Sequence, residues 1–270
     1  MKLSVTCWSF PRLTLAEVAG VARALGFEAL DVGYFYASAL DRGRVLADPE
    51  GYGSELRDSL GLDIANLYHL FGADVAERNL AGPPDPRNLA DLRSALRFAR
   101  AAGAPSVFVL PGVVNPGQTR AQALAAAAEA LRPMATAAAE AGVALCVEPH
   151  VHGLLESPVM AEDLVGQVPG LRLALDPAHF LCLGWRQDEV EPLCRHAGHV
   201  HLRQARPGAL QAKFDEGTLN LPAFLGALRE AGYEGYLACE AVHQAYMGTV
   251  LDDVLTETVR LRDAVRGWLG

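Results

Sequence analysis

One junction recurs along this chain: an Ala- and Leu-rich helical stretch, a glycine, then a short apolar run. It appears as ALGFEALDVG, SLGLDIANLY, AAGAPSVFVL, EAGVALCVE, VPGLRLALD, HAGHVHL and AGYEGYLACE. Gly26, Gly61, Gly103, Gly142, Gly170, Gly198 and Gly232 stand where a helix must end in a left-handed turn, a conformation that glycine alone adopts cheaply. Seven helix-to-strand returns, added to an opening strand KLSVTCW, make eight strands. Helices are predicted between them near 14–25, 50–60, 86–102, 119–141, 158–167, 187–196, 221–231 and 247–268. Thr14, Asp85 and Thr119 read as helix caps, with Pro86 at a first helical position, and Pro133 should kink or split the fourth helix.

Strict βα alternation over the whole length predicts an α/β chain folded as a single (β/α)8 barrel, one domain spanning residues 1–270. An open doubly wound sheet is the rival. Such a sheet usually carries a Gly-rich phosphate loop after its first strand, and here SFPRLT follows. The absence of GxGxxG and GxxxxGK[ST] removes the usual reason to expect a dinucleotide or nucleoside triphosphate.

Composition narrows the partners. A formal charge of −9 and the lack of any Lys/Arg run disfavour nucleic acid, leaving a small molecule as the expected ligand. The five cysteines are odd in number with no CxxC, so they read as reduced thiols, with Cys7, Cys146 and Cys239 inside strands. The N-terminal apolar stretch is interrupted by Pro11, Arg12 and Glu17, and the Ala-rich 121–147 by Glu129, Arg132, Pro133 and Glu140. Neither a signal peptide nor a membrane span is expected, and the location predicted is cytoplasmic.

Four predicted strands end on a residue able to bind a hard divalent metal: Glu148 in ALCVEPH, Asp176 in LRLALDPAHF, His201 in HVHLRQ and Glu240 in YLACE. Carboxylates converging at the ends of core strands are costly unless a cation or hydrogen bonds compensate them. Three carboxylates and one imidazole suit one Mn²⁺, Co²⁺ or Mg²⁺, with Zn²⁺ also acceptable. Taken singly, each has a plainer reading: Glu148 and Glu240 as strand-end carboxylates paired with an Arg, Asp176 as a turn residue before Pro177, and His201 as a satisfied core histidine.

In this order the motifs resemble the xylose isomerase-like TIM barrels, a family of sugar isomerases and epimerases, inosose dehydratase and endonuclease IV. The resemblance rests on E-x-H (Glu148, His150), D-P-x-H (Asp176, His179), H-V-H-L-R (His201) and the segment from Gly217 through Gly232, Tyr233 and Gly235 to Glu240. It implies Glu148, Asp176, His201 and Glu240 as metal ligands and His179 beside the metal touching substrate oxygens. It also implies Glu148 and Glu240 as the catalytic acid/base pair of an isomerase or epimerase working through a cis-enediolate. A metal-dependent dehydratase of an inosose-like or keto-sugar substrate is the alternative, and a non-catalytic sugar-binding barrel is a third reading.

The remaining candidates are softer. Trp8 and Phe10 end the first strand and could wall a sugar, His69 ends the third, and His150, His152 and His243 follow ligand positions. Of Arg203 and Arg206, Arg206 reads as better placed in a loop to bind a substrate hydroxyl or carboxylate, and Lys213 would serve a phosphate. Gln204 stands where many relatives carry Asp. LPG (Leu110, Pro111, Gly112) and KFDEG stand where endonuclease IV relatives need further metal-binding histidines, which disfavours DNA repair. A homodimer is possible, with a 34–60 loop (Tyr34, Phe35, Tyr36) a candidate lid or dimer surface.

Overall fold

The computed structural model describes residues 1–244 and 248–270. Eight strands run in chain order: β1 Lys2–Thr6, β2 Ala29–Val32, β3 Asp63–Tyr68, β4 Ser106–Val109, β5 Ala144–Val147, β6 Arg172–Leu175, β7 Ala197–Leu202 and β8 Tyr236–Cys239. Each pairs in parallel with the next, and β8 returns to β1 in the register Lys2↔Tyr236 through Val5↔Cys239, closing the barrel. The strands are buried on both faces, the burial expected of a parallel sheet enclosed by helices.

The helical layer comprises α1 Leu15–Ala24, α2 Arg42–Ala47, α3 Pro49–Leu60, α4 Pro86–Ala102, α5 Arg120–Ala141, α6 Pro158–Gln167, α7 Pro177–Cys182, α8 Gln187–Val190, α9 Leu221–Glu230 and α10 Val254–Leu269. Thr14 and Thr119 close reciprocal caps with Glu17 and Gln122, and Asp85 accepts from Arg87 N, so the three starts read from sequence are real caps.

Several expectations are corrected. Pro133 does not split α5, which runs unbroken for 22 residues. The final helix was expected from residue 247, but it begins at Val254, where Asp253 caps it by accepting from Thr256 N. The stretch 187–196 is a short α-helix followed by a 3-10 turn, Glu191–His196. Cys7 lies in a 3-10 turn, Cys7–Ser9, just beyond β1. The 34–60 segment is not simply a loop, since α2 and α3 occupy most of it.

Six of the seven junction glycines have the expected positive φ, from 64° at Gly61 to 85° at Gly170. Gly198 does not. It lies inside β7, where an added Cβ would stand 2.6 Å from Cys146 Sγ and 2.8 Å from Arg172 Cβ. Close approach of side chains from β5 and β6, not helix termination, requires glycine there.

Candidate active site

The C-terminal ends of the strands surround a cavity of about 80 Å³ lined by Trp8, Tyr68, Glu148, His150, Arg203 and Glu240 among others. It adjoins a wider, largely apolar cleft of about 540 Å³ that shares Phe35, Tyr68 and His150 with it.

Strand alternation puts every second residue of β7 inward, so His199, His201 and then Arg203 point into the barrel at rising heights. His199 and His201 meet a residue the motifs did not single out, Asp31 of β2. His199 Nε2 lies 2.5 Å and His201 Nε2 3.2 Å from Asp31 Oδ2, while Ser4 Oγ donates to Asp31 Oδ1 at 2.8 Å. Burial alone would raise the Asp31 pKa. The two imidazoles outweigh it and hold the carboxyl below its ordinary range. Asp31 was legible in the sequence: it is a lone acid in the apolar run EALDVG, the same signal that marks the other strand ends.

With Nε2 engaged by Asp31, His201 directs Nδ1 upward. Glu148 Oε1 lies 3.0 Å from it and Glu240 Oε2 3.5 Å. Burial opposes a charge on His201, but Glu240, Asp31 and Glu148 together raise its pKa well above the ordinary value. Glu148 is likewise held low, its burial overcome chiefly by the hydrogen bond to His201.

Glu240 Oε1 accepts from Trp8 Nε1 at 2.8 Å, whereas Oε2 is buried and has no hydrogen-bond partner among the described residues. A buried carboxylate oxygen with no hydrogen bond, 3.4 Å from Arg203 Nη2 and 3.5 Å from His201 Nδ1, suits a cation. Glu148, His201 and Glu240 bring ligand atoms within 4.8 Å of one another, and Glu148, His150 and His179 form an overlapping group. These hard O and N donors fit a divalent ion.

Asp176 stands apart from both groups. Its Oδ1 accepts from Ala178 N at 2.9 Å, capping α7, and its Oδ2 accepts from Arg203 Nε at 2.8 Å and Nη2 at 2.6 Å. Despite that pairing, burial first, and then repulsion from Glu240 and Glu148, raises the Asp176 pKa to about 6. The Arg203 guanidinium is buried too. Nη2 lies 3.4 Å from Glu240 Oε2 and 3.0 Å from His179 Nε2. Thus the four expected ligands lie around one chamber, but three converge and the fourth is held by an arginine.

The other candidates fall into place around this. His179 is buried, accepts at Nδ1 from Val151 N at 3.1 Å, and presents Nε2 at 3.6 Å from Asp176 Oδ2 and 4.0 Å from Glu148 Oε1. Burial keeps it neutral. His150 packs its ring on His179, centroids 4.2 Å apart, and lines the chamber. Trp8 lies edge-on to the His201 ring and forms part of the wall.

Two expectations move. Arg206 is exposed in the turn Arg206–Ala209, away from the chamber lining, and the inward-facing arginine is Arg203. His69 is buried behind the wall, with Tyr34 Oη 3.0 Å from Nδ1, and burial beside Arg42 and Arg78 drops its pKa to about 3. It lines no part of the chamber. Phe10 also stays outside the lining, His152 is exposed, and His243 Nδ1 lies 2.7 Å from Leu251 O. Lys213 pairs with Asp252 at 3.1 Å. Gln204 turns away from the carboxylates, binding Leu219 N and O at 3.1 and 3.0 Å, and a side chain at Gly217 would collide with it. Sequence reasoning missed the chamber aromatics Tyr68 and Phe108, which stack at 4.2 Å.

The chain is similar over most of its length to several known proteins. A putative hydroxypyruvate isomerase of Homo sapiens is 28% identical over 251 residues, covering 86% of each chain. A 2-oxo-tetronate isomerase of Pectobacterium atrosepticum is 26% identical over 158 residues, 56% of this chain and 59% of that one. Among solved structures, a D-tagatose 3-epimerase-like protein superposes with a TM-score of 0.76 at 18% identity, over 100% of this chain and 97% of the other. The D-psicose 3-epimerase of Clostridium cellulolyticum H10 with D-tagatose gives 0.75 at 17%, over 100% and 98%. An IolI protein with a bound zinc atom gives 0.73 at 15%, over 99% of each chain. The family model described as xylose isomerase-like TIM barrel matches residues 19–263, and the chain belongs to that family.

Proposed function

We propose that this protein is a divalent-metal-dependent isomerase or epimerase of a small sugar or polyol-derived ketone, moving a proton through a cis-enediolate between Glu148 and Glu240. The enzyme class is isomerase/epimerase, in keeping with the isomerases and epimerases it is similar to. The single observation that carries the mechanism is the pair of buried glutamates whose oxygens flank His201 Nδ1 at 3.0 and 3.5 Å, the second of them making no hydrogen bond among the described residues.

Glu148, His201 and Glu240 would hold the ion. Once bound, a divalent cation acidifies the C–H next to a carbonyl and neutralises the developing oxyanion. The residues supply the rest. Asp31 fixes the tautomer and orientation of His201, the arrangement that raises ligand basicity in metal sites. Trp8 orients the Glu240 carboxylate through Oε1. Neutral His179, its ring set by Val151 and His150, is a donor for a substrate oxygen. Trp8, Tyr68 and Phe108 keep water from the carbon that loses its proton.

Proton return to the opposite face of the same carbon is epimerisation, and return to the adjacent carbon is isomerisation. The dehydratase alternative needs departure of a β-hydroxyl. Incubation of Mn²⁺-loaded protein in D₂O with hydroxypyruvate, 2-oxo-tetronate, ketohexoses and inososes, read by NMR and mass spectrometry, separates these. Metal-dependent deuterium uptake beside a carbonyl, without loss of water, is the expected result. Loss of water would replace the isomerase with a lyase, and conversion without deuterium uptake would rule out the enediolate.

A further inference from the structure

We infer that Arg203 is a resident cation of this chamber: it holds Asp176 out of the metal's coordination sphere, so that the divalent ion has three protein ligands, Glu148, His201 and Glu240. The inference rests on the reading of the chamber as a metal-holding isomerase site.

The hydrogen bonds of Asp176 make the first argument. One oxygen caps α7 through Ala178 N and the other takes two guanidinium donors from Arg203, at 2.8 and 2.6 Å. A metal bond to Oδ2 would have to displace the guanidinium from a pairing that is buried on both sides, at 3% and 0% side-chain exposure. Breaking such a pair leaves a buried charge uncompensated.

Charge makes the second. In the described chamber the carboxylates are Asp31, Glu148, Asp176 and Glu240, and the nitrogen groups facing them are Arg203, His199, His201 and His179. Arg203 is the cation paired with Asp176. The two glutamates, Glu148 and Glu240, carry two charges, which one divalent ion would match. Asp176 as a third carboxylate ligand would leave the coordination sphere one charge negative and Arg203 without its partner.

Position makes the third. Arg203 Nη2 stands between Asp176 Oδ2 and Glu240 Oε2, 2.6 and 3.4 Å away. Its remaining terminal nitrogen, Nη1, makes no hydrogen bond among the described residues, and the side chain lines the cavity. Three protein ligands leave a six-coordinate ion more room for two neighbouring substrate oxygens than four do.

The test is Mn²⁺ titration of metal-stripped full-length protein, with free Mn²⁺ followed by EPR, on the wild type, Glu240→Gln, Asp176→Asn, Arg203→Met and the double variant Asp176→Asn/Arg203→Met. The wild type should bind one Mn²⁺, Glu240→Gln should weaken it by about 30-fold or more, and Asp176→Asn should stay within about threefold of the wild type. Arg203→Met frees Asp176 to ligate and should tighten binding about tenfold, a gain that the double variant removes while keeping the chamber free of an unpaired charge. Loss in Asp176→Asn as large as in Glu240→Gln overturns the inference and leaves the proposed function standing. A wild type that binds no Mn²⁺ overturns both.

Discussion

Asp176 and Glu240 look alike in the sequence, each a lone acid at the end of an apolar strand, yet the structure treats them oppositely. Both oxygens of Asp176 are hydrogen-bonded, by the first turn of α7 and by Arg203, whereas Glu240 is tethered through one oxygen to Trp8 and its other oxygen makes no hydrogen bond among the described residues, with Arg203 Nη2 3.4 Å away. The difference comes from partners far along the chain. Trp8 reaches Glu240 across 232 residues, and Arg203 reaches Asp176 across 27. A strand-end carboxylate therefore announces the chamber, while its neighbours on other strands decide between a held anion and a reactive one.

The contrast is broken most severely by Glu240→Gln, which keeps the shape and the Trp8 contact but removes the base. Turnover of an accepted ketose should fall by about 10³-fold with an unchanged circular dichroism spectrum, and near-normal turnover would end the two-glutamate mechanism. Asp31→Asn works from beneath, by loosening His201. A fall in Mn²⁺ affinity of about 10- to 100-fold is expected from calorimetry, since such outer partners orient the ligand.

Protonation sharpens the same point. The folded-state pKa of His201 is raised, so in metal-free protein Nδ1 keeps its proton at neutral pH, and a metal must displace it. Mn²⁺ uptake measured in buffers of different ionisation enthalpy should release about one proton, and affinity should weaken as pH falls. Trp8→Phe preserves the aromatic wall but not the hydrogen bond to Glu240, and should lower kcat about tenfold. Arg206→Ala should change kcat/KM by less than about twofold, because only Arg203 faces the chamber.

The barrel was legible because glycine at helix ends is a backbone requirement that leaves a mark in one dimension, visible at six of the seven junctions. Gly198 shows the limit of that signal. It serves the approach of Cys146 from β5 and Arg172 from β6, a demand that only three-dimensional packing creates. Pro133 stayed within a continuous α5, which buries Ala127, Leu131, Met134 and Ala138 against the barrel.

The candidate site was legible as four residues at four strand ends. Its internal division was not, since it depends on the height at which each side chain emerges. His201 and Arg203 are two residues apart and share the inward face, which the alternation of a strand dictates, whereas a loop position made Arg206 seem the freer ligand. Asp31 and His199 carry the same lone-polar signal as the other strand residues. Their place beneath His201 follows only from closure of the barrel, which brings β2 and β7 to face each other across its interior.

The most direct test is a crystal structure of the Mn²⁺-soaked protein with anomalous scattering collected at the manganese edge. The account predicts one manganese peak with Glu148, His201 and Glu240 at about 2.2 Å, and Asp176 still on the Arg203 guanidinium. Asp176 at bonding distance from the metal, with Arg203 swung away, would contradict it.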